Sequence, residues 1–368
     1  MTMNNHVSVL EIDGNALEHN LQYFKNKLEN ETKILVVVKA FGYGSEAVKI
    51  AKHLETKVDY FAVAYTDEGI ILREAGIKTP ILVLHPQLQN LELVIKFQLE
   101  PNLYNFKIFS AFLKFADSLL LLNYPIHIKF NTGLNRIGFW HTDIPKIISE
   151  LKETNHIKIS SIFSHLAASD DVNEDQFTTN QINNFAYIAK QFFTHLNYKP
   201  MIHMLNTSGI INYPKAQFDM VRLGIGLYGF GNDLTETSNL QNVVTLKSII
   251  SQIHLIEPGE TVGYNRAFTA NRTTKTATIP IGHADGISRK LGNKNYAVLV
   301  NDQKAPIIGN VCMDMIMIDV THINSNEGDE VIIFNSQEMI NDMAETSETI
   351  PYEILTAISQ RVKRLLKC

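Results

Sequence analysis

Apolar residues fall in short, dense runs along this chain. The densest is Ile34-Leu35-Val36-Val37-Val38, rich in β-branched residues. Such a run predicts a strand buried on both faces. It ends on Lys39 and opens into a turn marked by Gly42 and Gly44. Similar strand-like segments recur at 60–64, 81–84, 99–103, 125–130, 158–163, 201–205 and 218–222. Between most of them apolar positions recur every three or four residues, which predicts helices over roughly 15–28, 45–54, 67–75, 88–97 and 175–195. In the first of these Leu17, Leu21, Phe24 and Leu28 share one face, and Asp13 stands as N-cap. Ahead of it, residues 7–12 alternate as a short strand.

Strands alternating with helices predict parallel β-α units, and eight of them close naturally into a barrel. The competing architecture is a doubly wound open sheet, but no Gly-x-Gly-x-x-Gly follows the first strand. The pattern changes after Gly231. Residues 232–242 are polar and read as a connection, and beyond them come short strands at 244–256, 275–281, 296–300, 305–308, 314–320 and 329–334. Turn chemistry at Pro258-Gly259, Gly292-Asn293 and Gly328-Asp329 separates several of them. Tyr352 to Lys367 has helical spacing. The expected fold is therefore α/β: an N-terminal (β/α)8 TIM-like barrel over 1–235 and a C-terminal mainly β domain over 236–368, with which the strand at 7–12 can pair.

Composition narrows the class. With 45% hydrophobic and 19% charged residues among 368, the chain can bury a large core. A net charge of −5, without Lys/Arg clusters interleaved with aromatics, argues against a nucleic-acid partner. The start, Met-Thr-Met-Asn-Asn-His-Val-Ser, lacks the basic-then-apolar layout of a signal peptide, and no apolar run approaches the ~20 residues of a membrane span. Cys312 and Cys368 have no metal-type spacing and are too few for a disulfide framework. A cytoplasmic protein without a metal is expected.

Polar residues collect at the ends of the predicted barrel strands, where barrel enzymes keep their chemistry. Lys39 and Tyr43 follow the first strand and Lys129 ends the fifth. Asn131-Thr132-Gly133-Leu134-Asn135-Arg136 comes next, then His165 at the sixth, His203, Asn206 and Thr207 around the seventh, and Arg222-Leu223-Gly224 at the eighth. Singly each has a plain structural reading: a loop cap, a satisfied histidine, a lysine whose stem covers the core. Together they converge on one barrel mouth. The loops after the last two strands are the usual phosphate seat, and a reactive lysine beside a phosphate seat points to a phosphorylated aldehyde held as a Schiff base.

These residues resemble the motifs of alanine racemases. Val38-Lys39-Ala40-x-x-Tyr43-Gly44 is similar to their pyridoxal 5'-phosphate attachment motif. Asn131-Thr132-Gly133-Leu134-Asn135-Arg136-Ile137-Gly138-Phe139 resembles Asp-Thr-Gly-Met-x-Arg-Leu-Gly-Phe, and Val221-Arg222-Leu223-Gly224-Ile225-Gly226-Leu227-Tyr228-Gly229 resembles their last barrel strand. Val262-Gly263-Tyr264, Ile279-Pro280-Ile281-Gly282-x-Ala284-Asp285-Gly286 and Val311-Cys312-Met313-Asp314 resemble motifs of their β domain. The likeness runs in order from about residue 8 to 366.

The resemblance implies interconversion of L-alanine and D-alanine by two bases, feeding peptidoglycan synthesis. Lys39 would carry the cofactor as a Schiff base and, once freed, act on one face of Cα. Tyr264 would act on the other, reaching the site from the partner subunit of a homodimer. A phenol near pKa 10 is a poor base at neutral pH, so His165 and Arg222 would have to lower it through hydrogen bonds. Arg222 would face the cofactor's pyridine nitrogen. A guanidinium cannot give up its proton, so that nitrogen would stay unprotonated, which suits a racemase better than a decarboxylase. Tyr43, Asn206, Thr207 and the backbone of Gly224 and Ile225 would hold the phosphate end. Arg136 would reach the cofactor's phenolic oxygen or the substrate carboxylate, and Met313 would offer the carboxylate a backbone amide. Lys129 matches a position that carries a carbamate in some members.

Three positions depart from the family pattern. Gln360 stands where a phosphate-binding tyrosine is expected, and its amide would still donate to the phosphate; His283 replaces a tyrosine of the access channel, and Asn131 replaces an aspartate. Three alternatives compete with an alanine racemase: a broad-specificity racemase, a decarboxylase of the same architecture, and a non-catalytic cofactor-binding protein. The last resembles only the barrel and leaves Tyr264 and the β-rich part unexplained.

Overall fold

A computed structural model describes residues 6–368; the expectation that the first five carry no targeting signal lies outside them. Strand β1 (Val9–Asp13) leads into helix α1 (Gly14–Lys25), whose N-cap Asp13 accepts a hydrogen bond from the Ala16 amide at 3.0 Å. Leu17, Leu21 and Phe24 turn inward as the spacing predicts. The barrel then closes from eight parallel strands: β2 (Lys33–Val37), β3 (Tyr60–Val63), β4 (Ile81–Val83), β5 (Glu100–Leu103), β6 (Tyr124–Lys129), β7 (Ile157–Phe163), β8 (Met201–His203) and β9 (Met220–Leu223). Closure is the pairing of β2 with β9, Leu35 opposite Arg222. β2 is buried from Ile34 onward because helices cover one face and the barrel interior the other.

All but two of the remaining strands form a nine-stranded sheet in the order Gln252–Ile256, Thr274–Ile279, Ile316–Asp319, Gln303–Ile308, Ala297–Val300, Glu330–Phe334, Val244–Ile249, β1 and Lys363–Lys367, while Thr261–Val262 and Phe268–Thr269 pair only with each other. Val9 to Ile12 pair antiparallel with residues 244–247, and Val9 to Asp13 pair parallel with 363–367. The first strand thus belongs to the C-terminal sheet.

Two segments differ from their predicted form. The single strand expected at 244–256 is two strands, broken at Ile250 and Ser251, because the halves pair with different neighbours, Glu330–Phe334 and Thr274–Ile279. The helix expected over 352–367 stops at Ala357, where Ile358 turns extended, and the chain returns as the strand beside β1. Arg364 is the reason it can. Its buried guanidinium donates to the carbonyls of Gly44, Ile358, Ser359 and Val362, so a charge sits where a helix would have exposed it.

Candidate active site

The site begins with an unusual turn. After β2 the backbone runs left-handed through Ala40, Phe41, Gly42, Tyr43 and Gly44, with φ from 51° to 80°. Non-glycine residues pay roughly 1–2 kcal/mol each for this conformation, and three are present. The turn is held from outside. Glu68 accepts from the Ala40 amide at 2.6 Å, and Arg364 binds the Gly44 carbonyl at 2.9 Å. A Cβ on Gly44 would lie 2.0 Å from the Leu355 carbonyl oxygen, so the C-terminal segment packs directly on it. The turn brings Lys39 and Tyr43 to the wall of one cavity.

That cavity, about 370 Å³ at the C-terminal mouth of the barrel, is lined by Lys39, Tyr43, Lys129, Arg136, His165, Asn206, Thr207, Arg222, Gly224 and Ile225. Residues expected from five separate strand ends therefore meet in one place. Thr207 Oγ1 accepts from the amides of Gly224 and Gly226, both at 3.2 Å, which leaves its own proton to donate. Asn206 caps the short helix at Thr207–Asn212 through the Gly209 amide, 2.9 Å away. Ile225 opens a 3-10 turn, whose first amides have no partner within it. A Cβ on Gly224 would come 2.7 Å from the Tyr43 hydroxyl, so only glycine keeps this cradle open. Burial pushes the Tyr43 phenol up, and it stays a neutral donor.

The electrostatics are one-sided. Arg222 is buried and donates to the carbonyls of Ser164 (2.9 Å) and Met204 (2.8 Å) and to Nδ1 of His165 (2.8 Å) and His203 (2.7 Å). Every partner is an acceptor, as a guanidinium demands. His165 is held well below the ordinary histidine range by burial, then Arg222, Lys129, Arg136 and Lys39, so it is neutral at pH 7 with its proton on Nε2. Burial and Arg136 lower Lys39, and burial with Arg136, Arg222 and Lys39 brings Lys129 down to about 7. In place of a carboxylate, the ring of Phe163 lies 5.5 Å from Arg222 and 5.8 Å from Lys129, a cation–π arrangement.

Other expected residues lie elsewhere. Tyr264 and Met313 line a separate, shallow depression with Gly263, Cys312 and Met315, and are 72% and 59% exposed. Within one chain they do not meet Lys39. Gln360 is exposed and outside the cavity, which corrects its assignment to the phosphate. Tyr352 lines the cavity instead, its ring 6.0 Å from that of Tyr43. The sequence reading missed it because the motif was placed too far downstream in the same segment; its signal was a tyrosine just inside a Pro-initiated helix. His283 is exposed, bonded through its amide to the Cys312 carbonyl at 2.9 Å. Asn131 closes its own loop, accepting from the amides of Gly133 and Asn135 and donating to the Asn135 side chain.

The donor set fits a phosphorylated aldehyde. A lysine with a depressed pKa, a hydroxyl and amide cradle that a Cβ would fill, and a fixed guanidinium share one cavity of suitable size. Fold and site together define a barrel enzyme of the pyridoxal-phosphate class. The chain matches the family models of the alanine racemase N-terminal domain over residues 12–231 and the alanine racemase C-terminal domain over 243–366. It is 36% identical to alanine racemase 2 of Oceanobacillus iheyensis, across 96% of this chain and 92% of that one. The alanine racemase of Clostridium difficile 630 superposes with a TM-score of 0.93 at 35% identity, covering 98% and 96% of the two chains. That of Bartonella henselae, solved with covalently bound pyridoxal phosphate, gives 0.86 at 29% identity over 98% and 99%. The chain belongs to the alanine racemase family, whose enzymes depend on pyridoxal phosphate.

Proposed function

We propose that the chain interconverts L- and D-alanine by passing the Cα proton between Lys39 on one face of the substrate and Tyr264 of a second subunit on the other. The observation that carries this reading is the meeting of Lys39 with the Tyr43–Thr207–Gly224 cradle and the His165–Arg222 pair in a single cavity. When bound, the cofactor supplies the electron sink that makes Cα–H acidic. Tyr43, Thr207, Asn206 and the Gly224 and Ile225 amides would hold its phosphate, with Tyr352 rather than Gln360 beside them. Arg222 holds the pyridine nitrogen without protonating it, and His165 and Arg136 complete the cofactor's surroundings. A depressed Lys39 pKa raises the fraction of free amine at neutral pH, which a proton acceptor needs.

Tyr264 and Met313 are exposed together in an apolar depression, which supports a homodimer in which each subunit completes the other's site. His165 then presents Nε2–H outward to the incoming phenol, while Arg136 and the Met313 amide receive the substrate carboxylate. Lys129, surrounded by cations and titrating near 7, has the free amine that carbon dioxide needs to form a carbamate. The resulting anion would pair with Arg136. The two functional parts are 1–235 and 236–368, the first strand being lent to the second. No helix among the described residues is long and apolar enough to cross a membrane, and we place the enzyme in the cytoplasm, supplying D-alanine for the cell wall.

The test is D-alanine formation from L-alanine, and the reverse, by the purified chain with pyridoxal phosphate, beside a panel of serine, lysine and arginine. Alanine turnover well above the rest is expected. Faster turnover of a longer side chain, or release of carbon dioxide in place of racemisation, would overturn the reading.

A further inference from the structure

The barrel interior contains a line of buried polar groups that the reaction just described does not use. It starts at Arg222, which pairs with no carboxylate among the described residues, and runs toward the N-terminal end of the barrel. Arg222 Nη1 lies 2.7 Å from His203 Nδ1, and His203 Nε2 lies 2.9 Å from Ser161 Oγ. Ser161 Oγ lies 2.6 Å from His127 Nδ1, and His127 Nε2 lies 2.8 Å from Glu100 Oε2. Register places these residues on adjacent strands: His127 opposite Ser161, and Phe163, one inward position beyond Ser161, opposite His203. His127, Ser161 and His203 are fully buried, and Glu100 nearly so.

The protons along this line have one arrangement that satisfies every group in it. A guanidinium can only donate, so His203 accepts at Nδ1 and carries its proton on Nε2. Ser161 therefore accepts from His203, and with no other side-chain partner among the described residues its own proton goes to His127, which makes His127 an acceptor at Nδ1. His127 is then neutral, with its own proton on Nε2 directed at the Glu100 carboxylate. The close His127–Glu100 contact is thus a hydrogen bond from a neutral imidazole, not an ion pair. All four bonds point from the buried cation to the carboxylate, the arrangement in which each bond polarises the next.

We propose that Glu100, His127, Ser161 and His203 form a one-way hydrogen-bond relay that orients Arg222 and supplies its distant counter-charge, making them positioning residues of the active site. The functional part of this proposal rests on the racemase reading. Around the relay, Tyr60 places its hydroxyl 3.4 Å from Glu100 Oε2, and Arg73 and Tyr124 feel the Glu100 charge through space. At the other end His165, Lys129, Arg136 and Lys39 cluster about Arg222.

The relay is tested first without cofactor or activity, by 15N NMR of histidine-labelled full-length apoprotein near pH 7. Both His127 and His203 are expected as neutral Nε2–H tautomers. An imidazolium, or an Nδ1–H tautomer, at either position overturns the relay, whether or not the protein racemises anything. Two variants of the loaded enzyme test the link to the site. Glu100→Gln removes the charge and keeps the shape, whereas Ser161→Ala keeps the charge and cuts the line. Both are expected to shift the pH profile of kcat toward lower pH by about half a unit, because the cationic site loses its compensation. Ser161→Thr, which restores the hydroxyl, should bring the profile back. A Ser161→Ala profile identical to wild type would mean that the line is packing only. If a variant fails to fold, the wild-type tautomers still decide.

Discussion

Lys129 gives the sharpest test of the site's electrostatics. It is buried, its charged neighbours are Arg136, Arg222 and Lys39, and its pKa falls from 10.5 to about 7. The unfolded chain therefore holds a proton on Lys129 that the folded chain releases between about pH 7 and 10.5, and stability rises with pH across that window. The depression of roughly three and a half units corresponds to roughly 4–5 kcal/mol, fully opposing folding below pH 7 and relieved as pH climbs. Replacing Lys129 by Met keeps a flexible stem of similar reach and removes the charge. The packing part of that change does not depend on pH. The stability difference between Lys129→Met and wild type should consequently narrow by roughly 2–3 kcal/mol in the variant's disfavour from pH 7 to pH 9. The measurement is urea unfolding of both apoproteins by far-UV circular dichroism, in buffers freed of carbon dioxide so that the amine is not modified. A difference that stays constant over those two pH units would refute the picture of an unpaired buried cation. Adding bicarbonate to wild type should then stabilise it, with a mass increment of one carbon dioxide, because the carbamate exchanges a cation for an anion among three cations.

Other expectations follow from single contacts. Lys39→Ala should abolish both racemisation and the borohydride-reducible adduct with pyridoxal phosphate; a surviving adduct would move the attachment to another lysine. Gly224→Ala drives a methyl to 2.7 Å from the Tyr43 hydroxyl, so cofactor affinity, followed by absorbance titration, should fall at least about tenfold. An unchanged affinity would remove the phosphate from this cradle. Tyr264→Phe should slow racemisation by about 10²-fold or more, with solvent-deuterium incorporation altered unequally from the two enantiomers; wild-type rates in both directions would end the two-base scheme. Activity should fall on dilution in step with loss of dimer by analytical ultracentrifugation, and a fully active monomer would contradict the shared site.

The sequence by itself determined the barrel, because each parallel strand is buried on both faces and reads as a short apolar run. It also placed most of the cavity residues, since chemistry at the ends of consecutive strands converges once the strands close. It determined the helix start at Asp13 through a local cap. Tertiary structure decided what depends on distant partners. Whether residues 363–367 form helix or strand rests on the free edge of β1, more than three hundred residues earlier, and on the carbonyls that satisfy Arg364. The left-handed turn after Lys39 contradicts the local preference of Ala40, Phe41 and Tyr43 and exists only because Glu68 and Arg364 hold it. The exchange of Gln360 for Tyr352 has the same origin: both lie in one segment, and only its docking against the barrel mouth selects which side chain enters. The line from Arg222 to Glu100 was invisible because His127, Ser161 and Glu100 sit in ordinary strand positions. Their spacing along the chain carries no period, and only barrel closure with its register sets them in hydrogen-bonding reach.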